Sequence, residues 1–117
     1  MSRFNPFQPD EDALAPEDVR FLDVHVEPWP DGRRVRVHIT LTPFLQPPNL
    51  DVVITDPQGR EASRISIIEN IDYQFVFTMH LRDPQPQPEY LLETILSYPE
   101  KGTITQSSCK FSLAQDQ

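Results

Sequence analysis

Glycine, cysteine and tryptophan are scarce in this chain, with three, one and one among 117 residues. A lone cysteine, Cys109, cannot close an internal disulfide, so nothing here requires an oxidising compartment. No apolar run approaches the roughly 18 residues of a membrane-spanning helix, and Met1-Ser2-Arg3-Phe4 lacks the apolar centre of a signal peptide. A cytoplasmic location is the expectation. Positive charge is also short: 10 basic residues against 18 acidic ones leave a net charge of −8. That balance argues against a nucleic-acid backbone or an anionic membrane surface as partner.

Proline is what the chain has instead. Thirteen prolines fall between the apolar runs rather than inside them, as expected of a residue that removes a ladder donor and is pushed to sheet edges and loops. At this length the chain makes one domain with a single modest core. Residues 1–16 read as a flexible, proline-rich acidic tail, 17–114 as one β domain and 115–117 as a frayed end. Asp10, Glu11 and Asp12 lack the glycine and later glutamate of a calcium loop, so they read as solvated charge.

Alternation runs through Asn49 to Leu81, which turns on Asp56-Pro57-Gln58-Gly59 and ends with Tyr73, Phe75, Phe77, Met79 and Leu81 on one parity. Upstream, Leu22, Val24 and Val26 form one inward set, and Val35, Val37, Ile39 and Leu41 form the next. A four-residue loop at Trp29-Pro30-Asp31-Gly32 would pair Val26 with Val35, Val24 with Val37 and Leu22 with Ile39. The outer pairs would then be Glu27 with Arg34, His25 with Arg36, and Asp23 with His38. Tyr90 to Tyr98 suits a strand through Leu92, Thr94, Leu96 and Tyr98, and a helix through Leu91 with Ile95 and Leu92 with Leu96; the strand is preferred. A last strand, Ile104 to Leu113, turns Cys109, Phe111 and Leu113 inward.

Seven short strands joined by turns, from Val19 to Leu113, resemble an immunoglobulin-like or fibronectin type III-like β-sandwich. The resemblance is one of pattern, and it implies an all-β antiparallel sandwich. Tyr90, two residues before Leu92, stands where such folds often place a corner tyrosine. Trp29 is in a loop, so the antibody-type core of tryptophan on a disulfide is absent. So widely reused a fold implies no activity.

Candidate sites are few. His25, His38 and His80 share outward parity on strands that are neighbours in such a sheet. With Asp23 they form a candidate zinc or nickel site, against the plainer reading of solvated histidines with an Asp23–His38 pair. Cys109, inward and with no basic partner on its strand face, reads as a buried, inert thiol. No serine, histidine and acid set nominates a nucleophile and its base, so no enzyme is expected. Asn5-Pro6-Phe7 matches a short adaptor-binding peptide motif, while Phe4 and Phe7 read better as tail anchors on the fold or a neighbouring chain.

Two loops stand out together. In the implied fold the Pro43 to Asn49 connection and the Tyr98 to Gly102 turn emerge at one end. They would set Phe44, Leu45, Pro47 and Pro48 beside Tyr98, Pro99 and Lys101, as a partner-binding patch or with Phe44 and Leu45 folded back as a plug. The expected function is a non-catalytic protein-interaction or assembly module, needing no cofactor and binding a protein or itself, with a homodimer through edge strands. The alternative is a metal-binding protein using the histidines.

Overall fold

The computed structural model describes residues 11–82 and 87–113 and folds them into two antiparallel sheets. Strands β1 (Phe21–Pro28), β2 (Arg34–Leu41) and β5 (Gln74–His80) form a three-stranded sheet in the order β1-β2-β5. The other sheet runs β4-β3-β6-β7, built from β3 (Asn49–Thr55), β4 (Glu61–Ile67), β6 (Glu89–Tyr98) and β7 (Gly102–Ser112). This is the expected all-β sandwich of immunoglobulin-like type, and the ambiguous segment before Tyr98 is a strand.

Alternation explains why these strands stack as two layers. Val35, Val37, Ile39 and Leu41 of β2 share one buried cluster with Leu50, Val52 and Ile54 of β3 and Leu92 and Leu96 of β6. Each such side chain contributes about 1.5–3 kcal/mol when removed from water. Tyr90 closes the same core and its hydroxyl accepts the Gln87 N–H at 2.9 Å, three residues upstream, in the manner of a corner tyrosine. Tyr73 and Met79 are buried, while Phe75 and Phe77 are half-buried and lean on the core from one side.

The β1–β2 hairpin departs from the expected register. Val26 pairs with Val37, Val24 with Ile39 and Glu27 with Arg36, while His25 lies opposite His38 and Asp23 opposite Thr40. The loop has moved one residue along, because Trp29 continues the ladder by donating its N–H to the Arg34 carbonyl at 2.9 Å. Gly32 takes the left-handed conformation that closes the turn (φ 69°), and Asp31 accepts the Arg33 N–H at 2.9 Å. Partners shift by two, so every side chain keeps its face.

Leu22 is a second correction. A bulge between Phe21 and Asp23 puts Phe21 opposite Leu41, where it packs on the core, and leaves Leu22 63% exposed. Cys109 is a third. It lies opposite Leu92 on the inward face but is only half-buried, because β7 is an edge strand.

Part of the sequence expected as tail is tied to the domain. Leu14 donates its N–H to the Pro43 carbonyl and accepts the Leu45 N–H, each at 3.0 Å, making a parallel bridge to Phe44. Pro16 is buried at the start of a 3-10 turn, Pro16–Asp18. Phe4, Phe7 and the Asn5-Pro6-Phe7 motif lie outside the described residues.

Candidate interaction surface at the loop end

The topology sends three connections to one end of the sandwich. These are residues 42–48 between β2 and β3, 68–73 between β4 and β5, and the turn 99–101 between β6 and β7. Tyr98, at the end of β6, fastens two of them by donating its hydroxyl to the Gln46 carbonyl at 2.8 Å. Burial pushes this phenol up to about 12, so it remains a neutral donor across the physiological range. Asn49 fastens the third, its side-chain oxygen accepting the Glu69 N–H at 2.8 Å. Asn70 donates its own N–H to the Pro48 carbonyl, also at 2.8 Å.

A cleft of about 290 Å³ lies between these loops, lined by Gln46, Pro47, Asn49, Glu69, Tyr98 and Pro99 among others. Glu69 on its rim holds a left-handed backbone (φ 51°), uncommon for a residue with a side chain. The hydrogen bond to Asn49 keeps it there. Lys101 reaches out of the turn to Glu17, Nζ to Oε2 at 3.0 Å. Glu17's carboxyl is held below the usual carboxylate range by a backbone hydrogen bond and then by Lys101. The loops are thus a braced frame rather than free strands of chain.

The sequence-expected patch divides in two on this frame. Phe44 is wholly buried, edge-on to Tyr73 with ring centroids 4.8 Å apart, so it is the plug and not part of a surface. Pro48 and Tyr98 are buried too. Leu45 stays 47% exposed, Pro47 is half-buried, and Pro99 and Lys101 face solvent. Asn49, Glu69, Asn70 and Glu17 carry the bracing and were not singled out from sequence. Only the habit of asparagine to sit at turns pointed to the two asparagines.

The histidines do not converge on one point. His25 and His38 stack at 4.3 Å between ring centroids, with His25 Nδ1 2.6 Å from Asp23 and His38 Nε2 3.1 Å from Glu27. His80 lies opposite Arg34, four residues along β2 from His38, a strand distance of about 13 Å. Among the described residues no group of three or more histidine, cysteine, aspartate or glutamate side chains is arranged to hold a metal ion.

The opposite end has a wider cleft, about 380 Å³, beside Thr55, Asp56, Pro57, Tyr90 and Lys110. Its one buried carboxylate is already spent. Asp56 accepts the N–H groups of Gln58 and Arg60 at 2.9 and 2.8 Å and the Arg60 Nε at 3.1 Å, which holds the β3–β4 turn closed. Among the described residues no helix is long and apolar enough to cross a membrane.

No family model matches this sequence, and no curated protein does. Solved structures do share the fold. A glycosyl hydrolase family 2 member from Bacteroides cellulosilyticus superposes with a TM-score of 0.53 at 14% identity, covering 81% of this chain. β-Glucosidase 3B from Thermotoga neapolitana gives 0.40 at 16% identity over 83% of this chain, too loose a fit to carry an argument. The chain spans only 13% and 16% of the length of those two proteins. The first likeness shows a sandwich domain of the same kind within a larger protein, and no more than that.

Proposed function

We propose that this chain is a non-catalytic interaction module of fibronectin type III-like build that binds a protein partner through its loop end. The observation that supports this most is the fastening of Tyr98 to Gln46, which holds Leu45, Pro47 and Pro99 outward on an already ordered frame. A preordered apolar surface binds without a further cost of ordering its loops. Clustered apolar groups at a sandwich end also differ from the singly scattered hydrophobics of an ordinary surface. The half-exposed Leu45 is the anchor and the cleft beside Tyr98 is its neighbour.

Replacing Leu45 with aspartate tests this. The side chain is outside the core, so Leu45→Asp leaves the circular dichroism spectrum and the midpoint of thermal unfolding within a few degrees of the parent, about the shift of 0.5 kcal/mol. Capture of the physiological partner from a native extract falls at least about tenfold, a loss of about 1.4 kcal/mol. Unchanged capture by a folded Leu45→Asp protein would remove the loop end from consideration.

A further inference from the structure

Of the three histidines, two are partners. His25 on β1 and His38 on β2 stand directly opposite each other on the outer face of the three-stranded sheet, and their rings stack in parallel, with 4.3 Å between centroids and 9° between planes. Residues opposite each other on antiparallel strands have Cβ atoms about 4.5–5.5 Å apart, and the ladders on both sides of β2 fix that spacing. Both rings reach solvent, His25 with 56% and His38 with 28% of its side chain exposed.

Carboxylates set which nitrogen of each ring is available. Asp23 Oδ2 lies 2.6 Å from His25 Nδ1, and Glu27 Oε1 lies 3.1 Å from His38 Nε2. An ionised carboxylate only accepts, so in each neutral ring the nitrogen facing it carries the proton and the other carries a lone pair. Those other nitrogens, His25 Nε2 and His38 Nδ1, meet no hydrogen-bond partner among the described residues. An imidazole backed by a carboxylate, with its second nitrogen open, is the arrangement in which histidine holds a metal. The surrounding charge agrees. Around the pair stand Arg36 and Thr40 on β2 and Gln74, Val76 and Thr78 on β5. Asp23 and Glu27 therefore outnumber Arg36, whose guanidinium lies 5.5 Å over the Trp29 ring, while Arg34 beyond it is paired with Asp31.

We infer that His25 and His38 together bind one divalent transition-metal ion through His25 Nε2 and His38 Nδ1, with water in its remaining positions. Metal–nitrogen bonds of about 2.0–2.1 Å hold two ligand nitrogens no more than about 4 Å apart. A tilt of the two exposed rings out of their stack brings them within that span. Two protein ligands are fewer than a catalytic or structural zinc site uses, so the ion sits at an open, exchangeable position. Imidazole suits copper, nickel and zinc, and affinity at a given site is greatest for Cu2+. His80, about 13 Å along the sheet, takes no part. The pair lies away from the loop end, and neither reading depends on the other.

Calorimetric titration of the full chain with Cu2+ at neutral pH, in a non-coordinating buffer, tests this together with pulsed electron paramagnetic resonance of the complex. One equivalent binds, and the spectrum shows two coordinated imidazoles. The second imidazole binds from the same sheet as the first, so removing either costs a factor of about 100. His25→Ala and His38→Ala each show that loss and leave one imidazole in the spectrum, whereas His80→Ala changes neither quantity. Asp23→Ala removes a backing carboxylate but keeps both rings, so it weakens binding about tenfold and retains both imidazole signals. A circular dichroism spectrum of each variant verifies its fold. A parent chain that binds no copper, a complex with fewer than two imidazoles, or a loss in His80→Ala equal to that in His25→Ala each overturns the inference, and the first two need only the unmodified protein.

Discussion

Two residues, Asp56 and Phe44, show how much a single side chain can decide here. Asp56 follows β3 with its carboxylate out of contact with water. Burial alone would raise its pKa, but the N–H groups of Arg60 and Gln58 and then the Arg60 guanidinium outweigh that and hold it below the usual carboxylate range. A carboxyl depressed by folding stabilises the protein above its unfolded pKa, and the stabilisation disappears as pH falls through the lower folded value. Chemical denaturation of the parent should therefore show stability falling with acidification just below the ordinary aspartate range. Asp56→Asn should be less stable at neutral pH and have a flatter profile there; an unchanged slope would mean that the turn does not depend on the charge. The turn itself was legible in Asp56-Pro57-Gln58-Gly59, whereas the burial of the carboxylate was not, since it comes from the way the turn folds the Gln58 and Arg60 N–H groups and the Arg60 guanidinium onto it. Phe44 was legible only as an alternative. Its position in a proline-rich connection says loop, and only the pairing of Leu14 with Phe44 turns it into the core.

Strands were legible wherever apolar and polar residues alternate strictly, and β2 is the best case, because parity fixes its faces whatever the register. At the start of β1 the pattern fails. Phe21 and Leu22 are adjacent and both apolar, so one of them must face water unless the strand is bulged, and parity from Val24 picks Leu22 for the core. The structure picks Phe21, whose larger ring covers the edge of the sheet opposite Leu41. Leu22→Ser should accordingly change stability by no more than about 0.5 kcal/mol. Phe21→Ala should cost about 2 kcal/mol, less than the 3–5 kcal/mol of a fully buried phenylalanine because the ring is only partly covered. The reverse order in a denaturant series would restore the unbulged strand. The shifted hairpin has the same origin, since Trp29 reads as loop between two prolines until Arg34 stacks on its ring.

At the scale of the whole molecule, the meeting of the Pro43 to Asn49 connection with the Tyr98 turn could be anticipated from the fold class, because strand order alone brings those loops together. What fastens them could not. The bonds from Tyr98 to Gln46 and from Glu69 to Asn49 join residues 52 and 20 apart in sequence, and no local pattern encodes either. Two sheets with a buried seam give a rigid body whose ends are its most variable parts, and in such a body binding belongs at an end. The outer face of β1, β2 and β5 offers the competing surface, with Val76 half exposed among histidines and arginines.

Those two surfaces can be separated with a photoreactive phenylalanine analogue placed at Leu45 in one protein and at Val76 in another, each irradiated in native extract. Binding at the loop end gives a discrete cross-linked product from position 45 and none from position 76. Cross-linking from position 76 alone would contradict it and move the binding surface to the outer face of the three-stranded sheet.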